Sequence, residues 1–249
     1  PGGKGGNQAI AAARAGADVQ FVGAVGADSA GAGLRRHLMD NGVGVDGLEE
    51  LPVPSGNAVI MVDSAGENLI VVAPGANGHL TLASAAARSV IADCDVLLLQ
   101  LEIPIATAVA AAREARSVGA TVIVNASPAS PDGPGLAELA AVTDVVVVNE
   151  AEESHWRHPA AHLVVTRGAR GASYRGADAE LDVAAPEVEP VDTTGAGDVF
   201  AGVLAACWTD GRERALRRAA AAGALATLVP GAGDCAPPAE AIDDALTRY

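Results

Sequence analysis

Aromatic residues are nearly missing from this chain: two Trp, two Tyr and two Phe in 249 residues. With 50% of residues apolar, the core must be assembled from Ala, Val, Leu and Ile. Basic residues are also scarce, 16 Lys and Arg against 31 Asp and Glu. The formal charge of −15 argues against nucleic acid as a partner, because phosphates are neutralised by Lys and Arg. It leaves a nucleotide open, since a local nest of N–H groups and a divalent ion can outweigh the global field. No apolar run reaches the ~18–20 residues of a membrane span. There are only three cysteines, Cys94, Cys207 and Cys235, without CxxC spacing. With no signal-peptide pattern, reduced thiols and a cytoplasmic location are the expectation.

What is present is an alternation of helical and strand patterns. Helices are expected over residues 7–17, 29–41, 81–92, 104–118, 196–209 and 212–228. Ser29 serves as the cap of the second, and Gly42 as its stop. Strands are expected over 19–25, 95–101, 120–125, 145–148, 162–165 and 172–175. Residues 57–63 and 68–73 read as a hairpin around Ser64-Ala65-Gly66-Glu67. Near-continuous Val/Leu runs between helices predict a parallel sheet covered on both faces. A single domain over 1–249 fits this length.

The segment Asp192-Thr193-Thr194-Gly195-Ala196-Gly197-Asp198 precedes an apolar helical run. Small residues let N–H groups approach an anion, and the helix start adds partial positive charge. A carboxylate beside such a site suggests proton removal from an attacking hydroxyl; the bland reading is a glycine-rich turn with Asp198 as helix cap. Near the front stands Gly2-Gly3-Lys4-Gly5-Gly6-Asn7-Gln8-Ala9. It is not a Walker A loop, because Lys4 is followed by Gly rather than Ser or Thr. Three more segments follow in order: Leu99-Gln100-Leu101-Glu102, Asn149-Glu150-Ala151-Glu152 and Thr166-Arg167-Gly168-Ala169-Arg170-Gly171. They fall at the carboxyl ends of expected strands, the rim where open parallel sheets bind ligands.

Taken together, these five segments resemble the ribokinase-like carbohydrate kinases across nearly the whole chain. The resemblance implies an α/β fold, a three-layer α/β/α sandwich with a mostly parallel sheet, and residues 57–73 as part of a small β lid. It implies transfer of phosphate from ATP to the 5-hydroxyl of D-ribose, with Mg²⁺ and K⁺. Asp198 would be the base, with Gly195, Ala196 and Gly197 forming the anion hole. Gly3, Lys4, Gly5, Gly6, Asn7 and Glu102 would hold the sugar, together with Asp198. Asn149, Thr166, Arg167, Gly168, Ala169, Arg170, Gly171 and Gly197 would hold the nucleotide. Asn149 and Glu152 would order water around Mg²⁺; their alternative is a capping box. Asp192, Thr194, Ala226, Val229, Gly231 and Cys235 would surround a monovalent cation, although Cys235 stands where the family often has a Ser. A homodimer through the lid is a further implication. So are about 40 residues ahead of Pro1, enough for a central strand and two lid strands. The alternatives are a kinase for another small sugar or a nucleoside, and a catalytically impaired fragment that binds nucleotide or sugar.

Overall fold

A computed structural model describes residues 1–62, 68–129 and 133–248. The turn expected at 64–67 lies outside the described residues.

Six strands form the main sheet: β5 (Val96–Gln100), β6 (Thr121–Asn125), β7 (Val145–Asn149), β8 (His162–Thr166), β9 (Ala172–Gly176) and β10 (Glu180–Val183). They lie in the order β10-β9-β8-β7-β6-β5. Strands β5 to β8 are parallel, and β9 and β10 close the far side antiparallel. Successive side chains on a strand point to opposite faces, so each Val-rich run feeds two cores. Ile123, Val145, Val147 and Val164 pack on one side. There they meet α1 (Lys4–Arg14), α7 (Ala196–Cys207), α8 (Arg212–Ala226) and α9 (Ala239–Arg248). Val122, Val124, Val146 and Val148 pack on the other side. Their partners are α3 (Ala85–Ala92), α4 (Ile105–Ser117) and α5 (Pro134–Ala140). The result is the three-layer α/β/α sandwich that the alternation predicts.

A second, two-stranded parallel sheet pairs β1 (Gln20–Gly26) with β2 (Gly44–Leu51), joined through α2 (Ser29–Asp40). Asp28 rather than Ser29 caps α2: its carboxylate accepts from the Gly31 N–H at 2.7 Å and from the Ser55 N–H at 2.8 Å. A carboxylate that binds the helix start and the following loop outcompetes a hydroxyl one residue later. Strand β2 escapes the pattern reading because Asp46, Glu49 and Glu50 dilute its apolar alternation. Strands β3 (Asn57–Val62) and β4 (Asn68–Ala73) pair antiparallel as a third sheet, with Val59, Met61, Val71 and Val72 exposed.

Strands β1 and β5 share no hydrogen bonds among the described residues, and the parallel strands fall into two sheets. Helix α1 touches both. A Cβ added to Gly5 would sit 3.2 Å from Gln100 Oε1 on β5 and 3.3 Å from the Phe21 ring on β1. Glycine here lets the first turn of α1 settle onto both strands.

Candidate active site

Helix α7 begins without a side-chain cap. Gly195 precedes it at φ 83°, a left-handed conformation that glycine adopts freely. A side chain there would also meet Ala232 Cα at 2.8 Å and Cys235 Sγ at 3.1 Å. Among the described residues no internal hydrogen bond engages the N–H groups of Gly195, Gly197 or Asp198, whereas Ala196 N–H reaches Thr193 O at 3.3 Å. The space beside Gly197 is open. Free donors, an open flank and the positive end of a twelve-residue helix are what binding of an anion requires.

The approach to this helix start is pinned by Asp192. Its two carboxylate oxygens accept from Thr194 N–H at 2.9 Å and Gly231 N–H at 2.8 Å. The N–H groups of Val191 and Asp192 both reach Thr227 O at the end of α8, at 2.8 and 3.0 Å. Hydrogen bonds from Thr194, then Gly231, hold the Asp192 carboxyl well below its ordinary value, at about 2.

Asp198 is not the cap but the third residue of α7, and it is buried. Its Oδ2 accepts from Asn7 Nδ2 at 2.8 Å and its Oδ1 from Gln8 Nε2 at 3.0 Å. Two small residues bring α1 and α7 this close. A Cβ on Gly202 would fall 2.3 Å from Gln8 O and 2.9 Å from Ala11 Cβ.

Glu102 joins the same corner through the Lys4 backbone N–H, which donates to its Oε2 at 3.2 Å. Gly3, at φ 107°, turns the chain into α1, and its carbonyl accepts from Asn7 N–H at 3.0 Å. Side-chain space at Gly3 and Gly6 is open. The glycine-rich front, Glu102 and Asp198 therefore meet although nearly 200 residues apart in sequence.

The segments expected to hold a nucleotide stand further along the rim. Asn149 ends β7 and Thr166 ends β8, directly opposite each other in register. Residues 166–171 form the tight turn into antiparallel β9, with Arg167 N–H on Gly171 O at 2.8 Å. Gly168 and Gly171 supply its positive φ angles. Arg170 Nη2 donates to both carboxylate oxygens of Glu150, at 2.5 and 2.7 Å, and Arg167 reaches Asp182 at 3.3 Å. Asn149 and Glu152 form a full capping box: Glu152 N–H donates to Asn149 Oδ1 at 2.8 Å, and Asn149 N–H to Glu152 Oε2 at 2.9 Å. Glu152 Oε1 and Asn149 Nδ2 take no part in that box.

Of the residues expected around a monovalent cation, Asp192, Thr194, Gly231 and Cys235 converge. Ala226 is buried, with its carbonyl accepting from Val229 N–H at 3.2 Å. The Cys235 thiol lies 3.4 Å from Ala232 O and 3.9 Å from Thr194 O, and burial pushes its pKa up.

Pattern reading overlooked three side chains that belong to this corner. Gln8, Gln100 and Asn125 are linked to one another beneath Asp198. Their signal was present: Gln8 lies inside the glycine-rich run, and Gln100 and Asn125 end parallel strands.

A helix start with free N–H groups, a buried carboxylate in its first turn and a glycine-rich turn packed beside it at the rim of a mostly parallel sheet suit phosphoryl transfer. Residues 1–239 match the pfkB family carbohydrate kinases, and the chain belongs to that family. It is a carbohydrate kinase with the ribokinase-like fold. The chain is 34% identical to the ribokinase of Bacillus subtilis, over 99% of this chain and 88% of the relative. It is equally 34% identical to the deoxyribokinase of Salmonella typhi, over 82% of this chain and 73% of the relative. Among solved structures, Arabidopsis thaliana ribokinase complexed with ribose and ATP superposes with a TM-score of 0.91. That pair is 28% identical and covers 98% of this chain and 87% of the other. No helix among the described residues is long and apolar enough to cross a membrane.

Proposed function

We propose that this kinase transfers the γ-phosphoryl group of ATP to the 5-hydroxyl of D-ribose, giving ribose 5-phosphate and ADP. The observation that carries this reading is the buried Asp198 carboxylate, held by Asn7 and Gln8 at an open helix start. Asp198 takes the hydroxyl proton as the sugar oxygen bonds to the γ-phosphorus and the bond to the β-phosphate oxygen breaks. The free N–H groups of Gly195 and Gly197 receive charge on the phosphoryl oxygens, at the helix end whose dipole favours it. Sugar hydroxyls are read by Asn7, Glu102 and the glycine backbone at residues 3–6. Polar contacts of this kind separate one sugar from another, because an analogue lacking a hydroxyl leaves them unpaired. Residues 166–171 and Asn149 form the nucleotide side of the rim.

The unshared Glu152 Oε1 suits a hydrated Mg²⁺, which keeps most of its own waters and can donate them to a carboxylate oxygen; Asn149 Oδ1 has a second lone pair for the same use. When bound, Mg²⁺ neutralises phosphate charge. The set around Asp192 suits K⁺ less well. Asp192 is already engaged by two N–H groups, and a neutral thiol at Cys235 is a soft donor for a hard ion. No step is routed through it.

Asp198→Ala is expected to lower turnover on the order of 10²–10⁴-fold, while calorimetry still shows ATP binding. A variant turning over near the wild-type rate would end the assignment. ADP release measured across ribose, deoxyribose, fructose and adenosine tests the sugar. A higher kcat/KM for deoxyribose than for ribose overturns the ribose reading but leaves the kinase intact. Binding of sugar and ATP with no ADP release would favour an impaired chain.

A further inference from the structure

A glutamine in the middle of an Ala-rich helix is ordinarily a surface residue. Gln8 is 1% exposed, and its neighbours Ala9, Ile10, Ala11 and Ala12 are all core. A buried amide is costly unless its donors and acceptor are matched. Here they are. Gln8 Nε2 donates to Asn125 Oδ1 at 3.0 Å and to Asp198 Oδ1 at 3.0 Å. Gln8 Oε1 accepts from Gln100 Nε2 at 2.6 Å.

The network admits one orientation of each amide. Asn125 Nδ2 donates to the Val147 carbonyl at 3.1 Å, so Asn125 must present its oxygen to Gln8. Gln8 must then turn its NH₂ group toward Asn125, and the second N–H of that group points at Asp198. Gln100 presents its own NH₂ to the remaining Gln8 oxygen. The direction of the Gln8 dipole is thus dictated by a main-chain carbonyl in the centre of the sheet. Asn125 and Gln100 end adjacent strands in register, which makes the support rigid.

We propose that Gln8 is a positioning residue for phosphoryl transfer: braced by Asn125 and Gln100, it aims the Asp198 carboxylate at the sugar hydroxyl. This rests on the reading of Asp198 as the base. Asn7, the other donor, is also read as a sugar ligand. Gln8 has no open face, so its bond to Asp198 is available whether or not a sugar is bound. The role concerns direction, and a small misplacement of a reacting group carries a large rate penalty.

Gln8→Met keeps the length and volume of the side chain and removes the amide. The expected result is a fall in kcat on the order of 10–100-fold, with KM for ribose and for ATP within about two-fold of wild type. Gln8→Glu, which sets a second carboxylate against Asp198, should fall at least as far. Gln100→Met removes only the brace and should give a smaller drop in kcat, again without a change in KM. Circular dichroism verifies the fold of each variant, and Gln100→Met alone decides the matter if the Gln8 variants do not fold. Wild-type kcat in folded Gln8→Met, or in Gln100→Met where that variant decides, overturns the proposal. So does a KM increase with kcat unchanged, which would make Gln8 a binding residue. Asp198→Ala run alongside separates the two readings. If it stays active, the base assignment fails; if it is inactive and Gln8→Met is not impaired, only the role of Gln8 fails.

Discussion

Individual carboxylates in this protein are placed by the N–H groups around them. Asp28, Asp192 and Asp198 each sit at a helix or loop start, and each accepts at least two hydrogen bonds. For Asp192 the consequence is a defined acid response. Its pKa is lowered in the folded chain, from 3.8 to about 2. A depressed carboxyl stabilises the native state above its unfolded pKa, and that contribution disappears as pH falls through the folded value. The Asp192 clamp is therefore complete above pH about 4 and released by pH about 2. Asp192→Asn, which has one acceptor oxygen for two N–H groups, should unfold more easily than wild type in urea at pH 6. The difference should shrink steadily through this window; a difference independent of pH would exclude the clamp. At this scale the carboxylate at the start of α7 was legible, because the glycines before it mark the turn into the helix. Gln8 was only half legible: it lies inside the glycine-rich run, but its partners lie 92 to 190 residues away, so its role does not show locally.

Two helices bring the reacting corner together, and their separation is set by Gly202. Alanine there would gain about 1 kcal/mol of helix propensity. Against that stands a Cβ placed 2.3 Å from the Gln8 carbonyl oxygen, a backbone atom that moves only if α1 moves. Overpacking of this kind costs about 1–3 kcal/mol, so the clash should win. Gly202→Ala is expected to lower the thermal midpoint and also kcat, since the retreat of α1 carries Asn7 and Gln8 away from Asp198. An unchanged midpoint with full activity would show that the helices have slack. Elements were legible where periodicity is strong: β5 to β8 are apolar runs and α7 is nearly continuous. Strands β2 and β10 were not. Both carry acidic residues, and what makes them strands is pairing with β1 and β9. The cap of α2 was misplaced by one residue for a similar reason, because the tie from Asp28 to Ser55 is tertiary.

Across the whole molecule the order of layers followed from the alternation of segments. The pairing order of the strands did not, because pattern shows that a strand forms and not which neighbour it takes. That order has a measurable signature. In the six-stranded sheet β6 and β7 are bonded on both sides, while β10 pairs with β9 alone. Hydrogen exchange should be faster in β10 than anywhere in β6 or β7. Equal protection over the three would show that the outer side of β10 is covered in solution.

Helix α1 rests its first turn on Phe21 of β1 and Gln100 of β5, and its buried flank against α7. Glycine at positions 5 and 202 makes both approaches close. The amides of Asn7 and Gln8 are therefore held at a fixed offset from Asp198 by two residues that have no side chain of their own. A larger residue at position 5 would reach the carboxylate indirectly, by lifting the helix that carries its donors.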